Sequence, residues 1–178
     1  MIYDIYDSPL GKIILTCDGE YLTALFFAGQ KYADVYRSPD AVQKSVPVLE
    51  ETKVWLDAYF LGNVPGQFPA MKFIGSTFQK RVWELLLEIP YGETVTYGDL
   101  AKKLGCKSAQ AIGGAVGRNP ISILVPCHRV MGAGGKLTGY AGGVEKKVFL
   151  LNLESPLPGE RVVQRAGCGD SPHLSQLR

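Results

Sequence analysis

Cys127 and His128 stand side by side in Pro126-Cys127-His128-Arg129-Val130, and together they can do chemistry that neither does alone. A thiol is a poor nucleophile near neutral pH, because only a few per cent of it is thiolate. A nearby imidazole can take the proton or stabilise the anion. Neighbours on an extended segment point to opposite faces, so a tight turn or a bridging water has to couple the two side chains. Pro126 restricts the backbone just before them and suits a fixed turn. A carboxylate is then needed to hold the imidazole tautomer. The same dipeptide also fits a buried cysteine beside a surface histidine, and the two residues alone leave both readings open.

The composition narrows the chemistry. The chain has 178 residues, 46% of them apolar and 20% charged, with four cysteines and two histidines. With only His128 and His173 available, a His-rich metal site is excluded. Cys17, Cys106, Cys127 and Cys168 lie too far apart for the paired spacing of a zinc site. Four cysteines are also too sparse for a disulfide scaffold. The composition excludes collagen-like and broadly disordered chains, and the length suits one domain or two small ones. No apolar run nears the ~18 to 20 residues of a membrane span. Met1-Ile2-Tyr3-Asp4 shows no basic region followed by an apolar stretch. The expectation is a soluble cytoplasmic protein with reduced thiols and no membrane partner.

These residues need elements to position them. Residues 1–27 read as antiparallel hairpins, with turns at Ser8-Pro9-Leu10-Gly11 and Asp18-Gly19 between β-branched and aromatic runs. Residues 40–61 read as a helix, and Asn63-Val64-Pro65-Gly66 breaks it. A boundary is placed at residues 63–74. A strong amphipathic helix follows Gly75-Ser76-Thr77, with Phe78, Val82, Leu85, Leu86 and Ile89 on one face, and Pro90-Tyr91-Gly92 ends it. Thr96 can cap a short helix to Leu104, and Ser108 a second to about Gly117, in the manner of a helix-turn-helix. A loop from Asn119 to Val130, a glycine-rich stretch from Gly132 to Gly143 and a helix from Val144 to about Leu153 complete this part. The predicted organisation is an N-terminal α/β domain (1–74), a C-terminal domain (75–154) and a poorly packed tail (155–178).

Charge divides unevenly along the chain. Residues 1–74 carry 6 Lys/Arg against 9 Asp/Glu, a net −3, and residues 75–154 carry 10 against 6, a net +4. A basic segment is often no more than a solvated surface, but beside a helix-turn-helix it hints at nucleic acid.

The segment Asn119-Pro120-Ile121-Ser122-Ile123-Leu124-Val125-Pro126-Cys127-His128-Arg129-Val130 strongly resembles the active-site segment of the O6-alkylguanine-DNA alkyltransferases, the methylated-DNA–protein-cysteine methyltransferases. The likeness extends in order through Thr77-Phe78-Gln79, Val82-Trp83, Ile89-Pro90-Tyr91-Gly92-Glu93, Thr96-Tyr97, Ala111-Ile112-Gly113-Gly114-Ala115, Gly139-Tyr140-Ala141-Gly142-Gly143 and Leu150-Leu151-Asn152-Leu153-Glu154. It is dense over residues 75–154 and loose before them. The resemblance implies a small antiparallel-sheet, ribonuclease H-like N-terminal domain and a helical, winged-helix-like C-terminal domain. It implies a single-turnover repair protein, without cofactor, that moves an alkyl group from O6 of guanine in double-stranded DNA to its own cysteine. In that reading Cys127 is the acceptor, His128 its base through a water, and Glu154 the carboxylate that orients His128. Tyr97 stabilises the departing guanine, and Asn119 braces the active-site turn. Val130, Tyr140 and Ala141 contact the flipped base. Ser108, Gln110, Ala111, Gly114 and Arg118 meet DNA from the recognition helix, in the minor groove.

The chain departs from the family pattern at two places. Many members carry an arginine where Gln110 stands, which puts in question what fills the gap left by the flipped base. Some relatives bind zinc through N-terminal cysteines and histidines; Cys17 alone, with no histidine in that part, predicts no metal. The protein is expected to be a monomer. Two other readings are a non-catalytic alkylation-damage-binding protein, which the presence of Cys127 disfavours, and a cysteine hydrolase built on Cys127, His128 and Glu154, which would turn over many times.

Overall fold

A computed structural model describes residues 1–155 apart from Tyr32 and Arg37. The expected poorly packed tail, with Cys168 and His173, lies outside the described residues but for Ser155. The chain opens with three strands, β1 (Ile2–Ser8), β2 (Gly11–Cys17) and β3 (Leu22–Phe27), paired antiparallel in sequence order. The first turn is closed by the Ser8 hydroxyl, which donates to the Gly11 carbonyl at 2.6 Å and accepts from the Leu10 amide at 3.1 Å. Gly11 sits there at φ +98°, a conformation that costs glycine little. Asp18 closes the second turn by accepting from the amides of Glu20 and Tyr21.

The sheet is mixed rather than purely antiparallel. A short strand, β4 (Val42–Gln43), pairs parallel with β1 at the opposite edge from β3. The helix expected over 40–61 therefore starts later, as α1 (Pro47–Phe60). The cause is Pro47 at the first helical position, which holds Val46 in extended backbone (φ −141°, ψ 156°). Val48, Leu49, Thr52, Trp55, Leu56 and Tyr59 form the buried face of α1 against the sheet.

The second part is helical. It comprises α2 (Thr77–Leu87), α3 (Tyr97–Leu104), α4 (Ala109–Gly117) and α5 (Val144–Glu154), with the two-residue strands β5 (Val95–Thr96) and β6 (Val130–Met131) paired parallel. Ser76 and Thr96 head α2 and α3 with reciprocal capping boxes, and Ser108 caps α4 through the Ala111 amide. α3 and α4 are joined by residues 105–108, with Gly105 left-handed (φ +62°) at the end of α3. The exposed face of α4 is small and polar, while Ile112, Ala115 and Val116 pack inward.

One hydrophobic cluster runs through both parts, from Ile13 and Leu15 on the sheet to Trp83, Ile112, Val125 and Leu150. Backbone bonds also cross the boundary. The Leu22 amide donates to the Ala70 carbonyl and the Lys72 amide returns to Leu22, while the Leu25 amide donates to Pro120 and the Ser122 amide returns to Leu25. The outer edge of β3 is thus paired with the segment that leads to Cys127. This explains why every residue of β3 is buried.

Removing the Ser76 hydroxyl by Ser76→Ala leaves an amide of α2 without its cap. We expect a loss of about 1 kcal/mol in stability, read by urea denaturation, with no change in the denaturant slope.

Candidate active site

The loop from Asn119 to Pro126 is held by one side chain. Asn119 Oδ1 accepts from the Ile121 amide at 3.0 Å, and Nδ2 donates to the Val125 carbonyl at 2.8 Å. The same Nδ2 lies 3.1 Å from Cys127 Sγ, so one amide both closes the turn and touches the sulfur. Within this loop Ile123 adopts φ +70°, rare for a β-branched residue and tolerated because the turn is pinned on both sides. Cys127, His128 and Arg129 then form a single 3₁₀ turn, and all three are buried.

Glu154, the last residue of α5, collects the donors. His128 Nε2 lies 2.7 Å from Glu154 Oε1, and Tyr59 Oη donates to the same oxygen at 2.5 Å. Arg129 Nε donates to Oε2 at 2.7 Å and Nη2 to Oε1 at 3.0 Å, while the Gly92 amide approaches Oε2 at 3.3 Å. Arg129 Nη1 donates to the Ile89 carbonyl at 2.6 Å. Burial alone would raise the Glu154 carboxyl, but the hydrogen bonds and charge from His128 and Arg129 win and hold it down at about 2. Burial pushes the His128 imidazole below its ordinary value, against the pull of Glu154. Burial raises the Cys127 thiol, against the Asn119 hydrogen bond that favours thiolate.

These shifts fix a charge pattern at neutral pH: ionised Glu154, neutral His128 and protonated Cys127. Because Glu154 is anionic, the imidazole proton sits on Nε2. The lone pair of Nδ1 is left exposed inside the protein, and among the described residues it has no hydrogen-bond partner. Nδ1 is therefore the ring nitrogen with an uncommitted lone pair, able to accept a proton.

Lys147 of α5 is fully buried and faces no carboxylate partner among the described residues. Its ammonium donates to the Val130 carbonyl at 2.6 Å and reaches the Thr138 carbonyl at 3.4 Å. Burial lowers it to about 8, and the neighbouring Cys127 opposes that shift. The expected base-edge residues are thus partly engaged already: the Val130 carbonyl by Lys147, and the Ala141 carbonyl by the Lys31 amide at 3.2 Å. The Tyr140 hydroxyl is buried, and burial together with Cys127 keeps it well above the ordinary phenol range. Gly142 packs so closely that an added Cβ would lie 2.9 Å from the rings of Phe27 and Tyr140. Tyr97 is half-buried at the head of α3, and its hydroxyl accepts from Thr138 Oγ1 at 3.2 Å. It joins the Cys127 group through Thr138 and Lys147 rather than directly.

Ser108, Gln110, Ala111, Gly114 and Arg118 line one open groove of about 570 Å³, whose far wall includes Ser76, Phe78 and Gln79 of α2 and its cap. This groove is separate from the buried sulfur. The sequence reading did not single out Tyr59, Arg129 or Lys147. Lys147 interrupts an apolar stripe with Leu150 and Leu151, a signal that was legible; Tyr59 on the buried face of α1 gave none that pointed to Glu154.

The folded state holds Glu154 far below its ordinary 4.5 and His128 below its ordinary value. Both depressed groups contribute stability above their unfolded pKa values and lose it as pH falls through the folded ones. The protein should therefore lose stability between about pH 4.5 and 2 through Glu154. Glu154→Gln should cost on the order of 3 kcal/mol at pH 7, because Arg129 is left unpaired. It should also flatten the acid limb, as measured by unfolding from pH 7 to 2.5.

Two family profiles match this chain. The 6-O-methylguanine DNA methyltransferase ribonuclease-like domain covers residues 1–68, and the DNA binding domain of the same family covers residues 77–156. A methylated-DNA–protein-cysteine methyltransferase of Methanosarcina acetivorans is 47% identical over 156 residues, covering 86% of this chain and 98% of its own. A protein of the same name from Haemophilus influenzae is 41% identical over 157 residues, 86% of each chain. The crystal structure of Mycobacterium tuberculosis OGT in complex with DNA superposes with a TM-score of 0.79 at 42% identity, covering 86% of this chain and 92% of that one. With these matches along nearly all of residues 1–156, and the Asn119–Cys127–His128–Glu154 network folded at their centre, the chain belongs to the 6-O-methylguanine DNA methyltransferase family.

Proposed function

We propose that this protein repairs alkylated double-stranded DNA by transferring an alkyl group from O6 of guanine to Cys127, once per chain. The observation that carries the assignment to Cys127 is the bare Nδ1 of His128 in a buried group whose Nε2 is held by ionised Glu154. His128 takes the thiol proton through a bridging water. The thiolate sulfur attacks the alkyl carbon, an S–C bond forms, and the C–O6 bond breaks. The electron pair leaves on guanine, which is neutralised by a proton at the ring, with Tyr97 as donor near N3. The product is a thioether, a poor leaving group, so the protein is consumed.

The lesion is buried in a duplex, so the nucleotide must be extruded, at a cost of a few kcal/mol of stacking and pairing. The groove along α4 supplies the contact. Small Ala111 and Gly114 allow close approach, Gln110 fills the gap left by the flipped base, and Arg118 meets the backbone. Val130, Tyr140 and Ala141 wall the pocket that receives the base. The N-terminal part and residues 75–154 act as the two domains, and the protein works as a cytoplasmic monomer, where a reducing environment keeps the thiol free.

Duplex DNA bearing O6-methylguanine should add one methyl group, and only one, to the peptide containing Cys127, read by peptide mass. Cys127→Ala should abolish transfer and leave DNA affinity within about twofold; an unmodified Cys127 in the active protein would refute the assignment. Repeated turnover of a small ester or amide would instead favour the hydrolase. Gln110→Arg adds one cation to the groove. It should tighten DNA binding and steepen the salt dependence by about 0.9 in log–log slope, measured by titration at several salt concentrations.

A further inference from the structure

We propose that Tyr59, contributed by the N-terminal helix α1, is a positioning residue of the alkyl-acceptor site, acting through the Glu154 oxygen that also holds His128. The proposal rests on the reading of Cys127 as acceptor and His128 as its base.

Tyr59 is fully buried, stacked on Trp55 at 5.4 Å and met edge-on by Phe60 and Tyr91. A phenol so enclosed has one proton to give, and it is given to Glu154 Oε1 at 2.5 Å. The phenol oxygen also lies 3.4 Å from His128 Nε2. Burial and the charge of Glu154 keep the phenol neutral, well above its ordinary range. Because its proton is committed to the carboxylate, it has none left to donate to His128. Both groups on that side of the ring, the ionised carboxylate and a phenol with no proton to spare, are met by a proton on Nε2, which leaves the Nδ1 lone pair uncommitted.

The shared oxygen gives Tyr59 a second effect. Oε1 divides its negative charge among Tyr59, His128 and Arg129 Nη2. Taking away the phenol concentrates that charge on the imidazole, and a stronger anion beside it stabilises the imidazolium. The other groups facing this cluster are Cys127 on the 3₁₀ turn, Lys147 of α5, and Tyr91 and Tyr140 from the loops. None of them donates to Oε1, so none replaces the missing hydrogen bond.

The test compares the wild-type protein with Tyr59→Phe, measuring single-turnover methyl transfer from O6-methylguanine duplex between pH 5 and 9. The acid limb should move up by about one unit, so that the variant approaches ~10-fold slower transfer at the acid end of this range and stays within ~2-fold near pH 8.5. The His128 ring, read by ¹⁵N NMR in a His173→Asn background, should show a matching rise in pKa. Trp55→Phe perturbs the stack but keeps the phenol, and should leave the limb in place. A uniform loss with an unshifted limb, an unmoved His128, or an equal shift in Trp55→Phe would each overturn the proposal. The ring tautomer of wild-type His128 is a further measurement that needs no variant at position 59. Protonation at Nδ1 would overturn the proposal. Wild-type protein that transfers nothing to Cys127 would sink the acceptor reading itself. Transfer to Cys127 with an unshifted limb would sink only the role of Tyr59.

Discussion

A single buried carboxylate organises this molecule. Glu154 ends α5 inside the protein, where an uncompensated negative charge would be expensive. Its two oxygens are satisfied by a side chain from α1, two from the 3₁₀ turn after Pro126, and a backbone amide from the turn after α2. The hydrogen bonds from His128 and the ion pair with Arg129 keep Glu154 ionised, and the ionised state is what dictates the tautomer of His128. Charge compensation, turn geometry and the proposed proton path therefore depend on the same two oxygen atoms.

The thiol is handled in the opposite way. Cys127 is buried and held toward its protonated form, so the resting protein carries a protected sulfur rather than a free thiolate. In the proposed mechanism the proton goes to His128, a base that is itself neutral. The groups that favour the anion, the Asn119 amide and the nearby Lys147, are already placed and need no reorganisation when charge appears. This suits a reaction that happens once and must not be wasted on stray electrophiles.

The two parts of the chain share one core and one set of edge hydrogen bonds. The segment leading to Cys127 completes the edge of β3, and that pairing pins a loop containing Ile123 in a left-handed conformation. The N-terminal sheet thus serves as the wall on which the reactive turn is built. Lys31 and Phe27 extend the same wall to the glycine-rich loop, through the Ala141 carbonyl and the close packing of Gly142.

The sequence by itself determined the elements whose signals are local. Turn residues set the hairpins, capping residues set the starts of α2, α3 and α4, and the helical period of Val82, Leu85 and Leu86 set the buried face of α2. Cys127 and His128 were legible as a chemical pair from their residue types, whereas Asn119 and Glu154 joined them only through the family resemblance, because spacing does not say which carboxylate reaches a given imidazole. The sequence reading misjudged the start of α1 and the parallel strand β4, since the pairing partner of Val42 is Met1–Tyr3, some forty residues away. Only the tertiary structure decided that Tyr59, Arg129 and Lys147 belong to the site. Their roles come from buried polar atoms meeting across elements far apart in the chain, and no local pattern encodes which carboxylate or carbonyl a buried donor will find.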